Sequence, residues 1–114
     1  MNMTQETVDG NLIRIALDGR LDLQGTQQVE QQFSYRITTA PGKFAVDLSG
    51  VTFIASIGIR MLLTAARAQA QRGGKMILIS PDGMSRKVLE TAGVDQLVPI
   101  VADLDEARST LGAA

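Results

Sequence analysis

A chain of 114 residues, 45% hydrophobic and 20% charged, with a formal net charge of −1, is long enough for one compact domain with a real core and too short for two. The near-neutral balance leaves no electrostatic footprint for nucleic acid or an anionic membrane, and the apolar content argues against disorder. The sequence holds no cysteine and no histidine, which excludes disulfide and thiolate chemistry and removes the commonest general base and metal ligand.

No apolar run approaches the roughly 20 residues of a membrane-spanning helix. No signal peptide is visible before the first structured segment, so a cytoplasmic protein is expected. With no tryptophan and few aromatic residues, its core is expected to be aliphatic.

Taken in order, Thr4 to Val8 reads as a short edge strand, and Asp9-Gly10-Asn11 as a turn that closes a hairpin. From Leu12 to Leu17 the sequence alternates, with Leu12, Arg14 and Ala16 on one face and Ile13, Ile15 and Leu17 on the other. Asp18-Gly19 ends this strand, and Arg20 to Leu23 forms an extended link. Gln24 to Thr38 is a helix with Val29, Phe33 and Ile37 at spacings of four. Thr39 to Lys43, with Pro41 and Gly42, is a loop.

Phe44 to Leu48 is a strand, apolar enough to be covered on both faces. Ser49-Gly50 breaks it, and Val51 to Ala55 leads on to a long helix, Ile57 to Arg72. The inner stripe of that helix is Ile59, Leu62, Leu63, Ala66 and Ala70, while Arg60, Arg67, Gln71 and Arg72 face water. Gly73-Gly74 stops it. Lys75 to Ile79 is another buried strand. Ser80-Pro81-Asp82 signals a third helix, which runs to Ala92 with Val88, Leu89 and Ala92 inward and Gly93 as its cap. Leu97 to Val101 is the last strand and Asp103 to Leu111 the last helix, before Gly112-Ala113-Ala114 frays. Met61, Met76 and Met84 read as core filler. Asp47 reads as a structural cap beyond its strand.

A hairpin followed by strand–helix alternation gives an α/β fold. Its mixed sheet of about five strands is antiparallel at the start and parallel afterwards, with about four packed helices. All of it is expected to form one domain over residues 1–114.

Ser56 stands where the apolar run stops and the long helix begins. The first turn of a helix leaves N–H groups unpaired and carries partial positive charge. The serine either caps that end or carries a phosphate there, since helix N-termini accept anions. Ile57 is either tucked under the preceding loop or exposed to a partner, and Asp22 is either a helix-start acid or a partner contact. Arg60, one turn beyond Ser56, belongs to the solvated face but neighbours the same surface.

A series of motifs runs along the chain. It comprises Gly19-Arg20-Leu21-Asp22, the run from Val46 to Ile54, Ser56 with Gly58, Leu62-Leu63, Gly73-Gly74-Lys75, and Val88 to Val94. In this series the sequence resembles a STAS domain, and more narrowly the bacterial anti-sigma factor antagonists. The resemblance implies a partner-switching regulator. Its unphosphorylated form binds a partner that is both anti-sigma factor and serine kinase, built on a histidine-kinase-like ATPase fold. Phosphorylation blocks that binding, and a serine phosphatase restores it.

In that family the helix follows Asp-Ser-Ser-Gly. Here the motif is Ala55-Ser56-Ile57-Gly58. Ser56 matches the phosphorylated serine and Gly58 the glycine, while Ala55 and Ile57 replace the aspartate and the second serine. The family's aspartate near kinase and nucleotide maps to Asp22. The candidate partner-binding set is therefore Asp22, Ala55, Ile57, Gly58, Ile59 and Arg60 around Ser56.

ATP belongs to the partner on this reading, because the chain has no phosphate-binding glycine loop. No cofactor, metal, nucleic acid or membrane is expected. A scaffold or accessory STAS module in a larger signalling or transport complex is the alternative, with Ser56 inert. An enzyme is disfavoured, because the isolated acids Asp18, Asp22 and Asp47 are not matched to a nucleophile.

Overall fold

The alternation that starts at Leu12 sends Ile15 and Leu17 into one apolar cluster and Leu12 into another, on opposite faces of a sheet. The computed structural model describes residues 1–8, 12–39, 41–80 and 83–111. Its strands are β1 (Asn2–Val8), β2 (Leu12–Leu21), β3 (Lys43–Ile54), β4 (Lys75–Ile79) and β5 (Ile100–Val101), lying side by side in that order. β1 and β2 are antiparallel, with Val8 opposite Leu12 and Asn2 opposite Asp18. From β2 to β5 every neighbouring pair is parallel. The crossovers pass through α1 (Leu23–Thr38), α2 (Ser56–Gln71) and α3 (Met84–Thr91), and α4 (Leu104–Thr110) follows β5. This is the mixed α/β architecture expected from the sequence.

One core lies beneath α1 and α2. Val29, Phe33 and Ile37 meet Met61, Leu62 and Ala65 over Ile15, Val46 and Leu48. The second core is smaller: Ala45, Ile77 and Val101 lie under Ala107 of α4. Ala45 is buried on the second face, as a strand covered on both sides requires. Met61 and Met76 are buried filler. The side chain of Met84, the turn Asp9-Gly10-Asn11, Pro81-Asp82 and the tail 112–114 lie outside the described residues.

Several boundaries differ from the expectation. β2 does not end at Asp18-Gly19 but continues to Leu21, which pairs with Ile54. β3 is not broken at Ser49-Gly50; the irregularity falls in the pairing, between Ala16 and Asp18 and between Gly19 and Arg20. A β-carbon at Gly50 would stand 1.7 Å from Asp18 Oδ1, so the Asp18 side chain lies against the glycine. The inner face of α2 is rotated from the expected stripe. Gly58, Met61, Leu62, Ala65 and Gln69 are buried, Ile59, Leu63 and Ala66 are half-buried, and Ala70 is exposed.

Gln69 belongs to the inward face. Its amide nitrogen donates to the Ile37 carbonyl and its oxygen accepts from Gly42 N–H, which satisfies a buried amide. The expected strand Leu97–Val101 shortens to Ile100–Val101, because Val94–Gln96 winds into a 3-10 turn. Ser80 is not a helix start; its N–H extends the β4–β5 pairing to Val101, and α3 begins after Gly83. That helix ends at Thr91, with Ala92 as an exposed C-cap rather than part of the apolar side.

Asp47 does more than cap. Its carboxylate accepts from the Ser49 N–H at 2.9 Å and from the Ser49 hydroxyl, and pairs with the Arg14 guanidinium at 2.6 Å. Arg14 also reaches Glu6 of β1, which ties three strands together. Burial alone would push the Asp47 carboxyl up. The Ser49 hydroxyl and N–H, then Arg14, outweigh it and hold the carboxyl below its ordinary value.

A depressed carboxyl stabilises the fold fully above the unfolded-state value of about 3.9 and loses that contribution as pH falls through the folded value. Asp47→Ala is therefore expected to cost about 2 kcal/mol near neutral pH. That deficit should shrink when urea unfolding is repeated near pH 3. A deficit of equal size at both pH values would show that the ionised carboxylate is not its source.

Candidate functional site

Two helix starts meet at one end of the sheet, where β2 and β3 terminate side by side. Leu21 ends β2 and Ile54 ends β3, and the two are paired. One residue beyond, the Ala55 N–H donates to the Leu21 carbonyl at 2.9 Å. That bond fixes the β3–α2 connection against the β2–α1 connection, so the Ser56 and Asp22 segments are neighbours.

At the start of α1, Asp22 is the N-cap. Its Oδ1 accepts from Gly25 N–H at 2.8 Å, the usual solution for an unpaired first-turn donor. Its other oxygen meets Arg20 Nε at 3.3 Å. The Gly25 bond lowers the carboxyl most; desolvation opposes it, and the Arg20 contact adds to the lowering, so the net direction is down. Arg20 in turn lies over the Phe53 ring, 4.4 Å from its centroid, a cation–π contact. Asp22 is thus a helix-start acid, held in place and still accessible.

At the start of α2 the expected cap fails. Ala55 occupies the N-cap position, with extended backbone and no side-chain cap bond. Its carbonyl takes the N–H groups of Gly58 and Ile59. Ser56 is the first helical residue and is exposed. Its hydroxyl therefore stands free at the positive end of a four-turn helix rather than closing it. Ile57 and Ile59 are half-buried and Arg60 is exposed.

Gly58 is buried where α2 crosses the end of β2. A β-carbon there would lie 3.0 Å from Leu21 Cβ and 3.4 Å from Thr26 Oγ1. The glycine therefore lets the two helix starts approach each other.

The predicted set Asp22, Ala55, Ser56, Ile57 and Gly58 is brought together at this end, with Ile59 and Arg60 on the next turn of α2. The sequence reading missed its apolar companions. Leu23 is 58% exposed and Phe53 40% exposed, and both flank the same two connections. Leu23 was visible only as part of a link, and Phe53 only as part of a buried-looking run. The pairing of Arg20 with Phe53 across β2 and β3 is what places them. Among the described residues no group of acids is arranged to hold a metal ion, and no helix is long and apolar enough to cross a membrane.

Comparison with known proteins gives the same fold. The family described as "Mlab, STAS domain" matches residues 4–99. BtrV of Bordetella bronchiseptica, which carries the name of an anti-sigma factor antagonist, is 25% identical over 114 residues, covering 100% of this chain and 97% of that protein. The crystal structure of an anti-sigma factor antagonist from Mycobacterium paratuberculosis superposes with a TM-score of 0.87 at 21% identity, covering 96% of this chain and 92% of that one. SpoIIAA of Bacillus in its phosphorylated form superposes with a TM-score of 0.67 at 24% identity, over 97% of this chain and 100% of that one. The matched family segment takes in both helix starts and the paired ends of β2 and β3, and the chain belongs to the STAS domain family.

Proposed function

We propose that this protein is an anti-sigma factor antagonist that works by partner switching. Unphosphorylated at Ser56, it binds an anti-sigma factor that is also a serine kinase of histidine-kinase-like ATPase fold; phosphorylated, it releases that partner, and a serine phosphatase resets it. It acts as a cytoplasmic binding protein, without catalysis of its own. The observation that carries this reading is the position of Ser56: exposed, first in α2, and uninvolved in capping. A kinase can reach such a hydroxyl without unfolding the helix. Leu23, Phe53 and the exposed edge of Ile57 supply apolar contact area beside it, with Asp22 and Arg60 as polar neighbours.

Intact-mass measurement of the protein from its native cells, beside a Ser56→Ala variant, tests the proposal. A species heavier by one phosphate that is absent from the variant supports it. Unmodified protein under every growth condition would leave a constitutive STAS scaffold or accessory module as the better reading.

Asp22 separates folding from recognition. Asparagine retains a capping oxygen and removes the charge. Asp22→Asn is expected to keep the melting temperature and to weaken binding to the kinase, read by calorimetric titration. Unchanged affinity would reduce Asp22 to its capping role.

A further inference from the structure

The far half of α2 borders an apolar groove that a Ser56 switch does not use. Two adjoining hollows of about 170 Å³ and about 300 Å³ share Ala66, Ala70 and Leu97. One wall is α2, where Ala66 and Ala70 are small and Leu63 is half-buried. The other is the segment between the 3-10 turn and β5, where Leu97 is 68% exposed and Pro99 follows. A leucine left in water beside an apolar depression marks a contact surface more than an isolated exposed side chain does.

Charge identifies the occupant. From Leu48 to Pro81 the chain has no acidic residue, but it has Arg60, Arg67, Arg72 and Lys75, in a protein whose net charge is −1. Arg67 lines one hollow and Lys75 the other, and Arg72 is exposed at the end of α2. A face that is merely solvated usually mixes both signs. The dipole of α2 accounts for a cation at its last turn but not for Lys75 in β4. Asp95, near Leu97 in sequence, is engaged by the Gln96 side chain at 3.4 Å.

We propose that this groove docks an acidic amphipathic helix of a partner protein. Its apolar side chains would sit over Ala66 and Ala70, between Leu63 and Leu97, and its carboxylates would meet Arg67 and Lys75. The stretch from Leu63 to Ala70 spans about 10 Å at the rise of an α-helix, enough for two turns of a ligand helix. Ser56 lies about 15 Å along the same helix from Ala66, so the groove is a second surface, independent of the state of the serine.

The test uses a synthetic helical peptide of about four turns, with leucines at i, i+3, i+4 and i+7 and glutamates on either side. A counterpart carries lysines in place of the glutamates. Amide shifts of the isotope-labelled protein are expected at Ala66, Ala70 and Leu97 with the glutamate peptide. The R67E/K75E double variant, changed only at exposed positions and checked for an unaltered fold by the same spectra, should weaken binding by about 10-fold or more. Added salt should weaken it too. Ser56→Asp should leave it unchanged, which keeps this result separate from that of the phosphorylation switch.

Equal binding of the lysine peptide, or no shift at the groove, overturns the proposal. Two other occupants would also overturn it. A dimer by sedimentation that Leu97→Glu dissolves would assign the groove to a second copy. Binding to phosphatidylglycerol vesicles that requires Arg67 and Lys75, without peptide binding, would assign it to a membrane.

Discussion

A phosphate on Ser56 is expected to weaken binding to the anti-sigma factor by about 100-fold or more, while leaving unfolding free energy within about 1 kcal/mol. The two halves of this expectation have separate causes. The phosphate adds roughly −1.5 to −2 charges at neutral pH. Ser56 is exposed between apolar neighbours, so a partner seated on Leu23, Phe53 and Ile57 would have to strip water from a dianion. A penalty of about 3 kcal/mol corresponds to about two decades in affinity.

The fold itself has no reason to resist. The hydroxyl makes no capping bond that phosphorylation would break, and the positive end of α2 favours an anion. Ala55, the residue before Ser56, adds no like charge. Titration calorimetry and urea unfolding of the phosphorylated and unmodified proteins measure both halves. Equal affinity would remove the switch, and a collapse in stability would mean that phosphorylation acts by unfolding instead.

The sequence reading succeeded where one local rule was enough. Lys75 to Ile79 has flat apolar character and a Gly-Gly stop before it, and β4 has those limits. The hairpin, the order of elements and the parallel sheet followed from alternation and crossover rules. It failed where a residue is chosen for what stands across from it. Gly50 looks like a strand breaker, but it sits inside β3 because Asp18 of β2 occupies the space its side chain would need. The inner stripe of α2 was read without Gln69, which is fully buried because Ile37 and Gly42 supply its partners.

Ser56 has the better capping side chain, yet Ala55 takes the cap position, because the bond from Ala55 N–H to Leu21 fixes where the helix can start. The candidate residues stand in the sequence as a motif. What the motif could not reveal is that Asp22 and Ser56 lie in adjoining connections, or that Leu23 and Phe53 are exposed beside them. Those facts depend on the register of β2 against β3, and in particular on the offset after Ala16.

Gly25→Ala is expected to give the largest loss of stability of any single change at this site, about 3 kcal/mol or more. Gly25 is buried in the first turn of α1, and its N–H donates to the Asp22 cap. A β-carbon there would stand 1.8 Å from the Arg20 carbonyl oxygen and 3.2 Å from Asp22 Oδ1. The first of these contacts is with backbone, and Arg20 is held in the ladder opposite Phe53. Neither side can yield by rotating a side chain, so α1 must shift or the end of β2 must come away from β3.

Gly58→Ala is the informative comparison. Its nearest contacts would be 3.0 Å to 3.4 Å, a crowding that small adjustments relieve at a cost of about 1–2 kcal/mol. Small domains have only about 5–15 kcal/mol of stability in total, so Gly25→Ala should show a much lower urea midpoint than Gly58→Ala. It should also lose kinase binding, since the same shift displaces Asp22 and the Arg20–Phe53 pair. Equal midpoints for the two variants would mean that the helix starts are not packed as tightly as this geometry requires, and that Asp22 and Ser56 are held together by something other than the two glycines.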